Sequence, residues 1–439
     1  MFSLAKLTRA TAVVAALAVV TTAAMPAVAQ AGAKTILASK SSSGAKGNGG
    51  SSEPSVSGNG RLVAFASFAG NLVPNDTNGL SDCFVRDVGS GTTERVSVSS
   101  TGQQANDRCW GPAISSGNGR WVAFRSHATN LAGSTNGIAQ IYLHDRHTDT
   151  TTLVSERRSG GQGGDGPSSD PGISKDGRYV VYESKAANLV HGDTNGRQDV
   201  FLYDRVTDAT KRVSVRTNGT QGNGGSGDPS ISADGKFIVF TSYAKNLVSG
   251  DTNNKRDVFV HKRTTGKTQR ASLRAGGRQA NGESWNGSIS GNGRFVAFES
   301  NASNLVGADR SRDRDVFRYD RWQKKISQAS RTSAEKQAKG TSGDPTISNS
   351  GRWVAFESNA GNLAKGDTNR RYDSFVRDFK KGTTRIVSKR SDGKIAWGDQ
   401  DDPFISGDGK FVVFESTAKK MVPADKDTIE DIYRRGPLY

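Results

Sequence analysis

One glycine recurs at positions 60, 119, 177, 235, 293, 351 and 409, spaced by 59 residues once and by 58 thereafter. A period this regular means that each copy is one supersecondary unit, burying its apolar face against its neighbours. The residues around the glycine repeat with it. The first copy reads Pro54-Ser-Val-Ser-Gly-Asn-Gly-Arg-Leu-Val-Ala-Phe-Ala-Ser67 and the fifth Gly287-Ser-Ile-Ser-Gly-Asn-Gly-Arg-Phe-Val-Ala-Phe-Glu-Ser300. The seventh reads Pro403-Phe-Ile-Ser-Gly-Asp-Gly-Lys-Phe-Val-Val-Phe-Glu-Ser416. Because one repeat fills the 439 residues, the usual inference of two or three domains from length does not apply.

Each unit predicts four short strands. Strand a is the Pro-x-Ile-Ser segment, and an Asn-Gly or Asp-Gly turn, the strongest short hairpin signal, leads into strand b. Strand b is the Val-Ala-Phe run, apolar on both faces as a sheet covered on both sides requires. Strand c is the segment of the type Asp199–Tyr203, and strand d that of the type Thr93–Ser97. Four strands repeated radially make a propeller blade, so the expected fold is all-β, a seven-bladed β-propeller of four-stranded blades. The 52 glycines and the low hydrophobic content of 33% agree with many short strands joined by turns. The turn glycines supply positive φ, a structural role. The last unit stops after strand c, at Asp431–Tyr433, and the segment Lys34-Thr-Ile-Leu-Ala-Ser39 matches strand d. The N-terminal strand is therefore expected to complete the seventh blade, which removes exposed sheet edges.

The seven Ile/Val-Ser-x-Asn/Asp/Ser-Gly-Arg/Lys-x-Val/Ile-Ala/Val-Phe/Tyr segments resemble the PD40, or WD40-like, repeats of the TolB-type propeller family, over about residues 34–439. The resemblance implies the fold and leaves function open, because this family hosts periplasmic scaffolds, peptidase propellers and sugar-polymer lyases. Seven units where TolB has six, with no α/β domain before them, mean that a role in envelope assembly is not implied.

Residues 1–29 read as a signal peptide. Lys6 and Arg9 form a charged start, an apolar stretch runs from Ala10 to Ala24, and Ala27-Val28-Ala29 has the form of a cleavage site. The expected mature chain is a single propeller over 30–439, secreted or held at the cell envelope, monomeric and without a transmembrane segment. Cleavage removes Lys6 and Arg9 and no acid, lowering the net charge from +17 to +15. A basic exported protein is drawn to anionic surfaces such as acidic wall polymers. No nucleic-acid motif is present.

Comparison of the units predicts an ion pair. The residue after the turn glycine is Arg61, Arg120, Arg178, Arg294 or Arg352 in five units, and those five end strand c on Asp87, Asp145, Asp204, Asp320 and Asp378. The two units with Lys236 and Lys410 have Lys262 and Gly436 in place of the acid. Arg where the carboxylate exists and Lys where it does not is the signature of a planar bidentate pair.

Catalytic groups are sparse. The five histidines, His127, His144, His147, His191 and His261, show no metal-ligand spacing. Strand a, expected to line the channel, offers Ser55, Ala113, Gly172, Ser230, Ser288, Thr346 and Phe404, which are poor acid–base groups. No nucleophile-elbow domain accompanies the repeats. The loops between strands b and c read Asp76-Thr-Asn78-Gly-Leu-Ser-Asp82 and Asp193-Thr-Asn195-Gly-Arg-Gln-Asp199, with Asp251, Asn253, Asp257 and Asp367, Asn369, Asp373 in two further blades. Alternating oxygens around a turn glycine suit calcium, but the closing bidentate Glu is missing and Asx-turns account for the same residues. No cofactor is otherwise expected.

Two further expectations concern particular residues. Cys83, which opens strand c of blade 1 just after the b–c loop, and Cys109, in the d–a loop entering blade 2, are the only cysteines and lie 26 residues apart; the two loops emerge on one face, so a disulfide is expected, with two buried free thiols as the alternative. The residue before the first position of strand a is Glu53, Asp170, Asp228, Asp344 or Asp402 in five blades. The exceptions, Gly111 and Asn286, follow Trp110 and Trp285, and Trp397 lies in the loop entering blade seven. The symmetry then gathers five carboxylates and up to three indoles at one channel mouth. Such a mouth suits a cation, an amine or a sugar ring; alternatively each Asp before Pro caps the turn into strand a. The expectation is a secreted, non-catalytic binding or scaffold protein whose ligand is a wall polymer, a glycan or a protein. An extracellular polysaccharide lyase or hydrolase on the same scaffold is the alternative.

Overall fold

In the computed structural model, which describes residues 33–307, 309 and 313–439, the chain forms seven four-stranded antiparallel sheets. Among the described residues there is no helix, hence none long and apolar enough to cross a membrane. The expected signal peptide and its cleavage site lie outside the described residues.

Blade 1 runs through strand a Ser51–Val56, b Leu62–Ser67, c Asp82–Asp87 and d Thr92–Arg95, and the next five blades repeat this order. The seventh sheet joins Phe404–Ile405, Val412–Ser416 and Asp431–Gly436 to the N-terminal strand Lys34–Leu37. That strand pairs in register from Lys34 opposite Gly436 to Leu37 opposite Tyr433, closing the ring as the sequence predicts.

Strand b is buried on both faces, with Val63, Ala64 and Phe65 wholly inaccessible in the first blade. Its aromatic residue stacks on one from strand c in every blade, from Phe65–Phe84 at 5.9 Å to Phe414–Tyr433 at 6.0 Å between ring centres. The turn glycines do more than relax φ. A Cβ on Gly235 (φ 66°) would come within 2.2 Å of the Tyr179 ring, in the preceding blade. Gly60 stands in the same way against Phe411 of blade 7, so the repeat contact carries round the closure.

All five predicted Arg–Asp pairs form, each bidentate. Arg178 Nε and Nη2 donate to the two oxygens of Asp204 at 2.8 and 2.9 Å, and Arg352 contacts Asp378 at 2.8 and 2.6 Å. The guanidinium also covers the next ring, Arg352 lying 4.2 Å from Trp353 and Arg120 4.9 Å from Trp121. Lys236 instead reaches back to Asp234 of its own turn at 3.0 Å.

Cys83 and Cys109 are joined in a disulfide with Cα atoms 5.5 Å apart. It ties strand c of blade 1 to strand a of blade 2 and sits in their shared core. Replacing both cysteines with alanine is expected to lower unfolding stability by about 3 kcal/mol on the chain-entropy estimate for a loop of this length. Urea denaturation of the wild type and the variant measures it.

Candidate channel-mouth site

Strand a carries the site because it cannot run straight. Its pairing with strand b slips between Ser169 and Gly172 in blade 3, and at the corresponding place in the other blades through blade 6. In four of these six blades the second slipped residue is a proline that follows an acid, such as Pro171 after Asp170, and proline has no N–H to give the ladder. The residue before it takes a left-handed conformation: φ is 54° at Glu53, 50° at Asp170, 49° at Asp228, 45° at Asp344 and 48° at Asp402, with 48° at Asn286 and 57° at Gly111. The acids therefore lie within strand a, on a bulge, and not in the turn before it; only in blade 7 does Asp402 precede the strand.

All five acids line one cavity of about 470 Å³ on the ring axis, together with the small strand-a residues expected there and Phe404. The first residues of strand a pair with the last of strand b, Ser51 with Ser67, and those pair with the first of strand c. The acidic mouth thus opens on the face of the b–c and d–a loops, opposite the Arg–Asp rim. Turn capping does not account for the ring. Glu53 Oε2 accepts the Gly111 N–H at 2.5 Å, but among the described residues no loop amide donates to the carboxylates of Asp170, Asp228 or Asp402.

A second tier of acids stands behind the first, and the sequence reading missed it. Glu183, Glu299, Glu357 and Glu415 occupy one position of strand b in four blades and are 8, 0, 6 and 6% exposed. The signal lay in the Phe/Tyr-Glu-Ser segments, a charged residue in an otherwise apolar strand. Three of these glutamates brace the bulge of the following blade. Glu183 Oε2 accepts the Asp228 N–H at 3.0 Å, Glu299 Oε2 that of Asp344 at 3.2 Å and Glu415 Oε1 that of Glu53 at 2.6 Å.

Compensation is uneven. Arg314 lies 3.3 Å from Glu299 and 3.2 Å from Glu357, and Arg256 lies 3.8 Å from Asp228. Arg125 stands at the glutamate position of blade 2, where its charge acts on Glu53 and Asp170. Asp402, Glu415 and Glu430 have no such partner among the described residues. Burial first, then Asp402 and Glu430, hold the Glu415 carboxyl far above the usual carboxylate range. Burial and then Asp344 push Glu299 up to about 8. Burial, followed by the nearest acids, raises Asp170, Glu183, Glu357 and Asp402 as well. Asp170, Glu183 and Asp228 each bring a carboxylate oxygen within 4.8 Å of the others and so form a place for a cation.

The indoles are placed differently from the expectation. None lines the channel. Trp110 packs under Arg125 at 4.9 Å and edge-on to His127, and Trp285 lies under Arg256 at 5.3 Å. Both therefore seat the arginines that flank the acids. Trp397 is 74% exposed.

Three of the loops considered for calcium, in blades 1, 3 and 4, hold a guanidinium instead. Arg95 lies 3.6 Å from Asp76 and 3.3 Å from Asp82, and Arg212 lies 3.2 Å from Asp193 and 3.7 Å from Asp199. Asn78 and Asn195 spend their side-chain oxygens on the N–H of Leu80 and Arg197, as Asx-turns do. The charge calcium would supply is already present there. His144 and His261 each bond a buried threonine hydroxyl at 3.0 Å, and burial pushes His261 down to about 4, so both are core residues.

No protein-family model matches the chain, and no curated protein matches it. Solved structures do. An oligogalacturonate lyase in complex with manganese superposes with a TM-score of 0.52 at 12% identity, over 92% of this chain and 90% of that one. The β-propeller domain of the Trilobed protease from Pyrococcus furiosus, described as having an open velcro topology, gives 0.51 at 11% identity over 90% and 96%. A putative TolB from Agrobacterium tumefaciens gives 0.41 at 18% identity over 64% and 80%. At these identities the likeness is one of fold, the β-propeller.

Proposed function

We propose that this chain is an exported, non-catalytic binding propeller that holds a positively charged group of its ligand in the acidic channel mouth. One observation carries the reading. Five blades keep an acid at a left-handed backbone position where a non-glycine residue costs about 1 kcal/mol or more, although Gly111 occupies the same position in blade 2. The acids also repel one another, so the ring costs stability twice over. A ligand cation relieves the second cost. The setting sharpens the contrast, because the chain as a whole carries +17. Its basic outer surface suits anionic wall polymers, while the mouth suits an amine such as that of a de-acetylated amino sugar or a lysine-rich segment.

The buried glutamates also favour a second reading, a polysaccharide-cleaving enzyme, since a carboxyl that keeps its proton near neutrality can serve as a general acid. One experiment separates the two. Calorimetric titration of the purified protein with an amine-bearing glucosamine oligosaccharide and with its N-acetylated form is expected to give binding to the first only. The affinity should weaken as salt rises, with no shortening of the oligosaccharide after prolonged incubation. Equal binding of both forms would overturn the cationic reading, and shortened products would support the enzyme.

A further inference from the structure

Every blade has two facing sets of positions beneath the b–c loop. One set is a loop residue and the first residue of strand c. The other is the last residue of strand d and a residue of the d–a loop. In blade 1 the acids Asp76 and Asp82 face Arg95, with Gln104 Nε2 bridging both at 2.9 and 2.8 Å. Blades 3 and 4 repeat this with Arg212 and Arg270, which occupy the same register opposite Phe201 and Phe259 as Arg95 does opposite Phe84. In blade 7 the register position is Leu37, and the cation comes from the d–a loop instead: Lys46 Nζ lies 2.8 Å from Asp431 and 3.7 Å from Asp425. Blade 2 has the neutral Ser134 and Gln140, and faces them with Leu153. Blade 5 keeps Asp309 and Asp315, has Gln328 at the strand-d position, and Gln337 Nε2 donates to both acids at 2.9 and 3.1 Å. In blades 1, 3, 4 and 7 the two acids thus face a positive charge, in blade 5 polar amides, and blade 2 has no acids.

Blade 6 differs from all of these in facing its two acids with apolar side chains. It keeps both acids, Asp367 and Asp373, at 5 and 0% exposure. The facing positions are Ile386, opposite Phe375, and Ile395. Asp373 is bonded by Ser388 at 2.7 Å and by the Asn369 amide at 3.2 Å. Among the described residues no side chain bonds either carboxylate oxygen of Asp367; burial raises its pKa, and only the Asn369 N–H acts against that. Arg371, in the same loop, pairs instead with Asp399 at 3.1 Å. A buried carboxylate without a side-chain partner is costly, and a second acid beside it raises the cost.

We infer that blade 6 carries a cation site, in which Asp367 and Asp373 hold a hard divalent ion of the calcium type where blades 1, 3, 4 and 7 hold a guanidinium or an ammonium. Carboxylate oxygens on a flexible loop match calcium better than magnesium, which demands a stricter octahedron. The site lies beneath one loop of one blade, apart from the acidic mouth.

The test uses the whole mature protein and calcium chloride alone. Calorimetry is expected to show uptake at a site that Asp367→Asn removes, and saturating calcium should raise the melting temperature by roughly 2 °C. The variant Ile386→Arg supplies the charge that blades 1, 3 and 4 carry. It should abolish the same uptake and raise the melting temperature in calcium-free buffer. Absence of uptake up to about 10 mM calcium, above the range of extracellular modules, would overturn the site and leave the pair neutralised by protons. Uptake undiminished in Asp367→Asn would place the ion elsewhere, for example at Asp170, Glu183 and Asp228, and would also overturn it.

Discussion

A chain that begins at Ala38, and so lacks Lys34–Leu37, is expected to lose about 5 kcal/mol of stability, from four ladder residues at about 1 kcal/mol net each and the burial of Leu37 and, in part, Ile36, offset by the conformational entropy of ordering the strand. The strand continues along the chain into blade 1 and is held to the last strand of blade 7 by a hydrogen-bonded ladder, so it fastens the two ends of the ring. Its loss bares the edge of Asp431–Gly436, leaves Arg435 without its 2.7 Å bond to Thr35 Oγ1, and opens the core that Leu37 shares with Tyr433 and Val387. A bare edge is a template for pairing with another copy, so the truncated protein should also aggregate on heating. A melting temperature lower by roughly 5–10 °C is the expected readout, partly restored by a synthetic peptide spanning residues 33–39. A truncated chain melting within about 2 °C of the full one would show that blade 7 does not depend on the N-terminal strand.

Glu415→Gln should stabilise the protein at pH 8 by about 2 kcal/mol and leave it unchanged near pH 4. Glu415 is 6% exposed, and its neighbours include Asp402 and Glu430. Its carboxyl is raised in the folded state, so the folded protein keeps a proton that the unfolded chain gives up above about pH 4.5. Stability is therefore full below that pH and falls as pH rises toward the folded value. Glutamine keeps the acceptor that holds the Glu53 N–H at 2.6 Å and cannot ionise. Thermal melts of both proteins from pH 4 to pH 9 should diverge steadily. Parallel curves would mean that the carboxylate is solvated or matched by a counter-charge.

The repeat was legible because its signals are local: a glycine turn, an apolar strand, a period of 58. The Arg–Asp rim was legible for a related reason, since seven copies in one chain supply their own comparison. The second tier at the mouth was missed because Glu183, Glu299, Glu357 and Glu415 sit on strand b, which reads as core, and meet the bulge of the next blade only through the curvature of the ring. The bulge escaped notice because Asp-Pro reads as a turn, whereas in the sheet proline simply withholds one ladder bond. The loops weighed for calcium already read as Asx-turns, but the guanidinium that fills those of blades 1 and 3 could not be seen, because Arg95 and Arg212 approach from strand d after a separation of 13 residues or more. Trp110 and Trp285 stand within strand a and Trp397 in the loop entering blade 7, and the direction of the first two depends on which arginine they cover.

The account rests on the carboxylates of the channel mouth, and the most direct measurement replaces Asp170, Asp228 and Asp344 together with asparagine. Asparagine tolerates the left-handed backbone, as Asn286 does at φ 48° in blade 5, so the bulges should persist. Titration with the amine-bearing oligosaccharide is expected to show binding lost in the triple variant, with melting temperature unchanged or raised because like charges have been removed. Unchanged binding in a folded triple variant would contradict the claim that this mouth is where the protein holds its ligand.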